Sequence, residues 1–480
     1  MKKGMILLLL VVSIIACKND KNEKETISEV VKKIELAPMN DALLETAIIY
    51  EANIRQYSPE GTFSEFTKDI PELKKIGVKV IWLMPIFPIS ENKRKATGDV
   101  FAEDIEDPEE RKKYLGSYYA VSDFKATNPE FGSKEDFRKL LNTAHENGMY
   151  VILDWVPNHT GWDHNWITSN PEYYTKNDKG EITDPLNEDG TPVGWADVAD
   201  LDYSNLELQE TMINDMKYWI TEENIDGFRC DVAGSVPVYF WENAIPKLRA
   251  EKEIFMLAEA WEPELLKGDL FDMAYGWDSH HLMNGISKGE KSIKDWDEYM
   301  IGLNTKYEEN DILMNFITNH DENSWNGTVN ERMGDAGEAM LALSYAMPGM
   351  PLIYSGQEYD LNHRLLFFEK DSIPKTKATV WPILEKLGKL KVETLAFNGG
   401  KNAATYKRLV TSKDEAVLAF QREKDGSQLV FIANMSNESL DFTITVDAEM
   451  LHAYSGETVT LAQEKTYSFS PWEYMILLNK

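Results

Sequence analysis

Residues 225–231, Ile-Asp-Gly-Phe-Arg-Cys-Asp (IDGFRCD), form an apolar, strand-like run that closes on Asp231. Side chains alternate along a strand, so Arg229, two positions earlier, shares the face of Asp231. A carboxylate beside a guanidinium is held ionised at neutral pH, which suits a nucleophile. Taken alone, Arg229 reads equally well as a plain salt-bridge partner. Three more segments repeat the pattern of a strand ending in polar groups: 154–159 (DWVPNH), 257–261 (LAEAW) and 316–321 (FITNHD). Four such ends in order point to one site assembled from distant parts of the chain.

Outward from these segments, short apolar runs alternate with longer amphipathic stretches. Strands are expected at 47–51, 78–84, 149–155, 225–231, 254–259, 271–275, 312–318 and 351–355, and helices at 63–75, 137–146 and 206–223. Alternation of strand and helix implies parallel strands with crossover helices, and eight strand candidates favour a closed (β/α)8 barrel over an open sheet. Residues 90–119 form a long loop after the second strand. Residues 160–205, rich in Trp, Tyr, Asp, Asn and Gly, interrupt the pattern after the third, and a loop of that length inside a compact domain is usually functional. Beyond Gly399-Gly400, runs at 405–410, 416–422, 429–434, 442–446 and 474–478 read as a terminal antiparallel β-domain. The expected layout is a barrel over 41–159 and 206–396, an insertion over 160–205 and a C-terminal domain over 397–480.

At 480 residues the chain is long enough for two or three domains. Its formal charge of −31 would repel phosphate backbones, so no nucleic-acid partner is expected and a neutral substrate is more compatible. Most of the 13 Trp and 21 Tyr must fill the core, but a sugar's CH face also stacks on flat rings, so a minority can line a groove. Lys2 and Lys3 precede an apolar run over 5–16, too short to span a bilayer, that ends in Ile14-Ile15-Ala16-Cys17. This resembles a bacterial lipoprotein signal over 1–16, with Cys17 lipidated and 17–40 a flexible tether. The chain is then expected on a bacterial membrane, facing the cell surface or the periplasm. The only other cysteine, Cys230, alternates away from Arg229 and Asp231 and is expected to pack in the barrel wall.

In such barrels the C-terminal strand ends carry the site. This brings together Asp154, Asn158 and His159, then Arg229 and Asp231, then Glu259, then His320 and Asp321. One ionised and one protonated carboxyl form the pair needed to cleave a glycosidic bond. With these motifs in this order, the chain resembles the α-amylase family of glycoside hydrolases (family 13). The resemblance covers residue 47 to the end and implies a (β/α)8 barrel, a small domain inserted after strand three and a C-terminal β-sandwich. It also implies Asp231 as nucleophile kept ionised by Arg229, Glu259 as acid and base, and Asp321 as a clamp on the sugar hydroxyls. His159 and His320 would hydrogen-bond the sugar, and Tyr119 in the segment 116–119 followed by Asp123 would stack on it. Asp154 would brace the site. His145, His280, His281, His363 and His452 fall outside the motifs and read as surface or packing residues.

The resemblance further implies a structural Ca2+ held in part by Asn158 and Asp200, hard oxygen ligands of the kind calcium prefers; Asn158 alone could equally brace its loop. One departure stands out. Where many members of the family follow the nucleophile with Ala-x-Lys-His, this chain has Val232-Ala233-Gly234-Ser235. Contacts on the leaving-group side must then come from elsewhere, with Trp162, Trp166, Tyr173, Tyr174 and Trp195 as candidates that could equally be packing. The expectation is an α-amylase-like retaining hydrolase of α-1,4-glucosidic bonds in starch or maltooligosaccharides. Cyclomaltodextrinase-like, neopullulanase-like, α-glucosidase and transglycosylase activities are the alternatives, with a non-catalytic starch-binding lipoprotein opposed by the three retained carboxylates.

Overall fold

Each of the eight strand-like runs between residues 47 and 355 is a strand in the computed structural model, which describes residues 33–480 apart from 99 and 188. They are β1 (Ile49–Ala52), β2 (Val80–Leu83), β3 (Tyr150–Trp155), β4 (Gly227–Cys230), β5 (Phe255–Ala258), β6 (Met273–Tyr275), β7 (Ile312–Asn315) and β8 (Met350–Tyr354). All pair in parallel, and β1 hydrogen-bonds both β2 and β8, so the sheet closes into a barrel. The helices start and stop where local chemistry directs. Thr62 caps Phe63–Leu73, a Ser133–Asp136 capping box opens Lys134–Glu146, and Asn205 caps Leu206–Thr221.

Alternation along the strands sorts the side chains. Ile49, Val80, Ile152, Phe255, Leu257, Met273, Met314 and Leu352 fill the lumen, while Tyr50, Ile81, Val151, Phe228, Cys230 and Met256 face the helices. Two residues farther along the inward columns, Ile49 gives way to Glu51, Val80 to Trp82, Ile152 to Asp154 and Met273 to Tyr275. The lumen therefore changes from apolar to charged toward the C-terminal rim. On β4 the inward residue below Arg229 is Gly227, at φ 154°, where an added Cβ would stand 1.9 Å from the Phe255 carbonyl oxygen. Only glycine lets β4 and β5 approach at the level just below the polar layer.

After β3 the chain forms a hairpin, His159–Gly161 against Val198–Asp200, with His159 opposite Asp200. Between its arms lie a short helix, Trp166–Ser169, and buried Trp166, Tyr173 and Tyr174. These three aromatics join the core shared with the barrel helices, Trp166 meeting Phe124 at 5.6 Å and the Tyr173 hydroxyl lying 3.2 Å from that of Thr211. The long loop after β2 carries its own hairpin, Lys95–Thr97 against Val100–Phe101, and a short helix, Pro108–Arg111.

The C-terminal strands form a six-stranded antiparallel sheet facing a two-stranded one, Leu440–Phe442 with Tyr467–Phe469. Val417, Ala419, Val430 and Ile432 pack between the two sheets with Phe442 and Phe469, whereas Leu418, Phe420, Leu429 and Phe431 join the core that contains the barrel helices. Strands Ala448–His452, Thr458–Leu461 and Tyr467–Phe469 escaped the sequence reading because each buries only one or two residues. Fully buried Arg422 donates to the carbonyl oxygens of Ala346 (3.2 Å), Met347 (3.1 Å) and Ala404 (3.0 Å), joining this sheet to the last barrel helices.

The segment expected as tether up to residue 40 is held from residue 34 onward. His145 Nδ1 and Asn224 Nδ2 donate to the Ile34 carbonyl oxygen (2.6 and 3.2 Å), and the Tyr150 hydroxyl donates to that of Ala37 (2.8 Å). These partners lie at the N-terminal ends of β3 and β4, so the segment docks on the barrel floor. The expected signal, Cys17 and the first half of the tether lie outside the described residues.

Gly227→Ala is expected to destabilise the fold by more than about 3 kcal/mol, because the backbone of β5 cannot move away without opening the barrel. Urea unfolding would read this as a lowered midpoint, and a midpoint within about 1 kcal/mol of the parent would overturn it.

Candidate active site

Arg229 is the centre of the polar layer. Its side chain is wholly buried, and its Nη1 donates to Asp154 Oδ1 (2.9 Å) and Asp231 Oδ1 (3.0 Å) while Nη2 lies 2.8 Å from Glu259 Oε2. Its Nε donates to the Tyr275 hydroxyl at 3.2 Å, and the Trp82 ring lies 4.8 Å below the guanidinium carbon. Trp82 Nε1 and the Tyr119 hydroxyl both donate to Asp154 Oδ2 at 3.1 Å, so every oxygen of this brace is used. The backbone ladder continues past the strand ends: the Asp231 N–H donates to the Trp155 carbonyl oxygen and the Glu259 N–H to that of Cys230.

A second cluster adjoins the first. His320 Nδ1 meets Glu51 Oε1 at 2.5 Å, its Nε2 lies 2.8 Å from the Tyr119 hydroxyl, and the same nitrogen lies 3.3 Å from Asp321 Oδ2. Burial alone would strip the His320 proton, but Asp321 and Glu51 more than offset it and raise the group to about 9, so the imidazole is charged at neutral pH. Asp321 keeps 38% of its side chain exposed against 11% for Asp231 and 14% for Glu259. It is the most open of the three carboxylates.

Five carboxyl groups, Glu51, Asp154, Asp231, Glu259 and Asp321, thus face two cations. A buried surplus of negative charge is relieved by holding protons. Burial raises Glu51 and Asp321 against the pull of His320 and pushes Asp154 up to about 6 against that of Arg229. Asp231 is raised as well, first by burial and then by Glu259. Arg229 pulls Asp231 toward the ionised form while burial and Glu259 pull the other way, and the one guanidinium is divided among three carboxylates.

Val232, next to Asp231, adopts the left-handed conformation (φ 37°, ψ 46°), which is costly for a β-branched residue. Its N–H is thereby aimed at Glu259 Oε2, at 2.8 Å. A Cβ at Gly234 would stand 2.5 Å from Glu262 Oε2, so the carboxylate of Glu262 covers the position where a longer side chain is missing. Trp261, 46% exposed, stacks on Trp277 at 5.4 Å beside it.

His159 stands apart from both charge clusters. Its Nδ1 lies 3.3 Å from Asn158 Nδ2, its ring meets the edge of half-exposed Trp195 at 5.8 Å, and burial drives its pKa down to about 3, so it is neutral. Asn158 and Asp200 line one cavity with Asp202, Ser204 and Ser235, and burial raises Asp200 to about 6. Among the described residues no three His, Cys, Asp or Glu side chains converge on a metal position. A cation in this cavity would draw its remaining ligands from hydroxyl, carbonyl and water oxygens, a donor set that fits a hard ion such as Ca2+. Of the insertion's aromatics only Trp195 is well exposed near the site, while half-buried Trp162 carries the Lys93 ammonium 3.4 Å over its ring. His145 and His280 are packed residues, paired with Asp226 and Glu322.

Sequence reasoning passed over Glu51, Trp82 and Tyr275. Glu51 carried the same signal as Asp231, a carboxylate closing an apolar strand, and could have been found by it. Trp82 and Tyr275 look like core residues until the barrel's inward columns are known.

The family model described as alpha amylase, catalytic domain, matches residues 20–381. Alpha-amylase 3 of Dictyoglomus thermophilum is 24% identical over 83% of this chain and 86% of its own length. The cyclomaltodextrinase of Thermoanaerobacter pseudethanolicus is 25% identical over 79% of this chain and 64% of its own. Among solved structures, a maltogenic alpha-amylase from Thermotoga neapolitana aligns with a TM-score of 0.79 at 27% identity, covering 91% of this chain and 99% of that one.

Because the folded state raises His320 above its ordinary 6.5, its contribution to stability is complete below about pH 6.5 and is lost as pH rises through about 9, a loss of about 3 kcal/mol. Urea midpoints from pH 6 to 9.5 are expected to fall in the parent and to flatten in His320→Gln. An equal slope in both would overturn the assignment.

Proposed function

The chain belongs to the α-amylase family of glycoside hydrolases, and from that premise we propose that it is a retaining hydrolase of α-1,4-glucosidic bonds in starch or maltooligosaccharides. The observation that carries the reading is the single Arg229 guanidinium holding Asp231 and Glu259 on its two terminal nitrogens at the barrel rim. Two carboxyl groups on one guanidinium are held close together, as a double-displacement pair at about 5 Å requires, with no room for a water between Asp231 and the sugar. Asp231 attacks the anomeric carbon as the C–O bond breaks, and Glu259 gives its proton to the departing oxygen. Glu259 then takes a proton from water, whose oxygen displaces Asp231. The first step requires Glu259 in its acid form and Asp231 as the carboxylate.

Asp321, open toward solvent and next to the charged His320, is placed to accept hydrogen bonds from sugar hydroxyls. Tyr119, His159 and Arg229 complete the sugar-binding set in this reading. A second reading, ring-opening or maltose-releasing activity, is favoured by the covered Gly234 beside exposed Trp261 on the Glu259 side, where leaving-group contacts differ from those expected of the family. α-Glucosidase and transglycosylase activities use the same intermediate. The reading also includes Ca2+ near Asn158 and Asp200, and a lipid anchor at Cys17 supported by the sequence 14–17.

Maltoheptaose is expected to yield new reducing ends whose first-formed anomer is α, followed by NMR; a β product would overturn retention. Glu259→Gln is expected to lower kcat by about 10²- to 10⁴-fold on maltoheptaose and far less on a glycosyl fluoride, whose leaving group needs no proton. An Asp231→Asn variant with full activity would remove the nucleophile assignment. Chelation is expected to lower the melting midpoint, and an unchanged midpoint would remove the calcium.

A further inference from the structure

A run of aromatic rings leaves the charged cluster and reaches solvent on one side of the rim. Tyr119 stacks on His320 (5.5 Å, 25°) and on Phe367 (6.4 Å, 11°). Phe367 in turn meets Trp325 at 5.1 Å and Phe368 at 5.2 Å, and Trp325 touches Phe368 at 5.8 Å. Trp325 nevertheless leaves 50% of its surface in water. An indole half in water forgoes much of the stabilisation that burying it would give, whereas a flat ring beside a sugar site offers a stacking face.

The shelf is held in place. The Leu365 N–H donates to Asn323 Oδ1 (2.9 Å), Asn323 Nδ2 donates to the His363 carbonyl oxygen (3.1 Å), and the Leu115 N–H donates to that of Phe368 (2.6 Å). Loops that follow β2, β7 and β8 are thus tied together, so the rings are ordered before any ligand arrives and little entropy is lost on binding.

Its side of the rim follows from the strand order. β7, β8, β1 and β2 are consecutive neighbours, and β5, which precedes Glu259, lies across the ring. The leaving sugar sits beside the acid that protonates it, so the shelf borders the sugar that stays bound. We infer that Trp325, with Phe367 and Phe368, forms an added subsite that stacks a glucose unit on the non-reducing side of the cleaved bond. The inference rests on the α-glucan reading and names the glucan itself as occupant, because the shelf is continuous with the ring wall of the site and is apolar where a neutral sugar face is apolar.

Calorimetric titration of maltoheptaose into the full chain carrying Asp231→Asn, which stops turnover, tests the shelf. Adding Trp325→Ala is expected to weaken binding about 5- to 10-fold, and Trp325→Phe to restore most of it. In the otherwise intact enzyme, Trp325→Ala is expected to lower kcat/KM for maltoheptaose relative to that for an aryl α-glucoside by a similar factor. Unchanged titration, or equal losses on both substrates, would overturn the subsite. Phe368→Ala reads the same shelf should Trp325→Ala fold poorly. A parent chain that binds maltoheptaose but leaves it intact would instead overturn the hydrolase reading and leave the shelf standing.

Discussion

A guanidinium buried in the lumen of a barrel must be paired, and in this protein that requirement organises the whole upper layer. Arg229 is surrounded by Asp154, Asp231, Glu259, the Tyr275 hydroxyl and the Trp82 ring, each brought by a different strand or strand end. Removing a buried charge from water costs several kcal/mol, and only a full set of partners offsets it. The same set fixes the carboxylates that the chemistry needs. Structure and reactivity thus share one ion: the groups that make Arg229 tolerable are those it holds ready, and Gly227 keeps the space just below it closed.

Much of this was legible in the sequence because it obeys short-range rules. Apolar strand-like runs alternating with amphipathic stretches, and polar residues at strand ends, were sufficient to place all eight barrel strands and the Arg229, Asp231, Glu259 and Asp321 positions. What escaped depends on registers between strands. Glu51 is remote from His320 in the chain, yet β1 and β7 both flank β8, and the sequence says nothing of that meeting. The division of Arg229 among three carboxylates is likewise a matter of geometry. Trp325, Phe367 and Phe368 read as core aromatics in a chain rich in them; only their exposure separates them from filling.

The terminal sheet is more than an appendage. Arg422, on the sheet, and Lys391, on the barrel helix Val380–Glu393, are both wholly buried and donate to backbone carbonyl oxygens, Lys391 reaching Gly349 (3.1 Å) and Phe397 (2.7 Å). Gly349 lies immediately before β8. These two side chains therefore set the entry to the last barrel strand, one from the sheet and one from a barrel helix, by satisfying carbonyls that helix ends and loops leave unpaired. The alternate face of the sheet, with Leu418, Phe420 and Phe431, supplies the apolar contact that excludes water from those bonds.

The docking of Ile34 and Ala37 beneath β3 and β4 puts the first described residues at the pole opposite the site. Ile34 and Ala37 lie against the barrel floor, while the carboxylates and the aromatic shelf open from the rim. Residues 34–37 are therefore bound on the face of the barrel turned away from the opening.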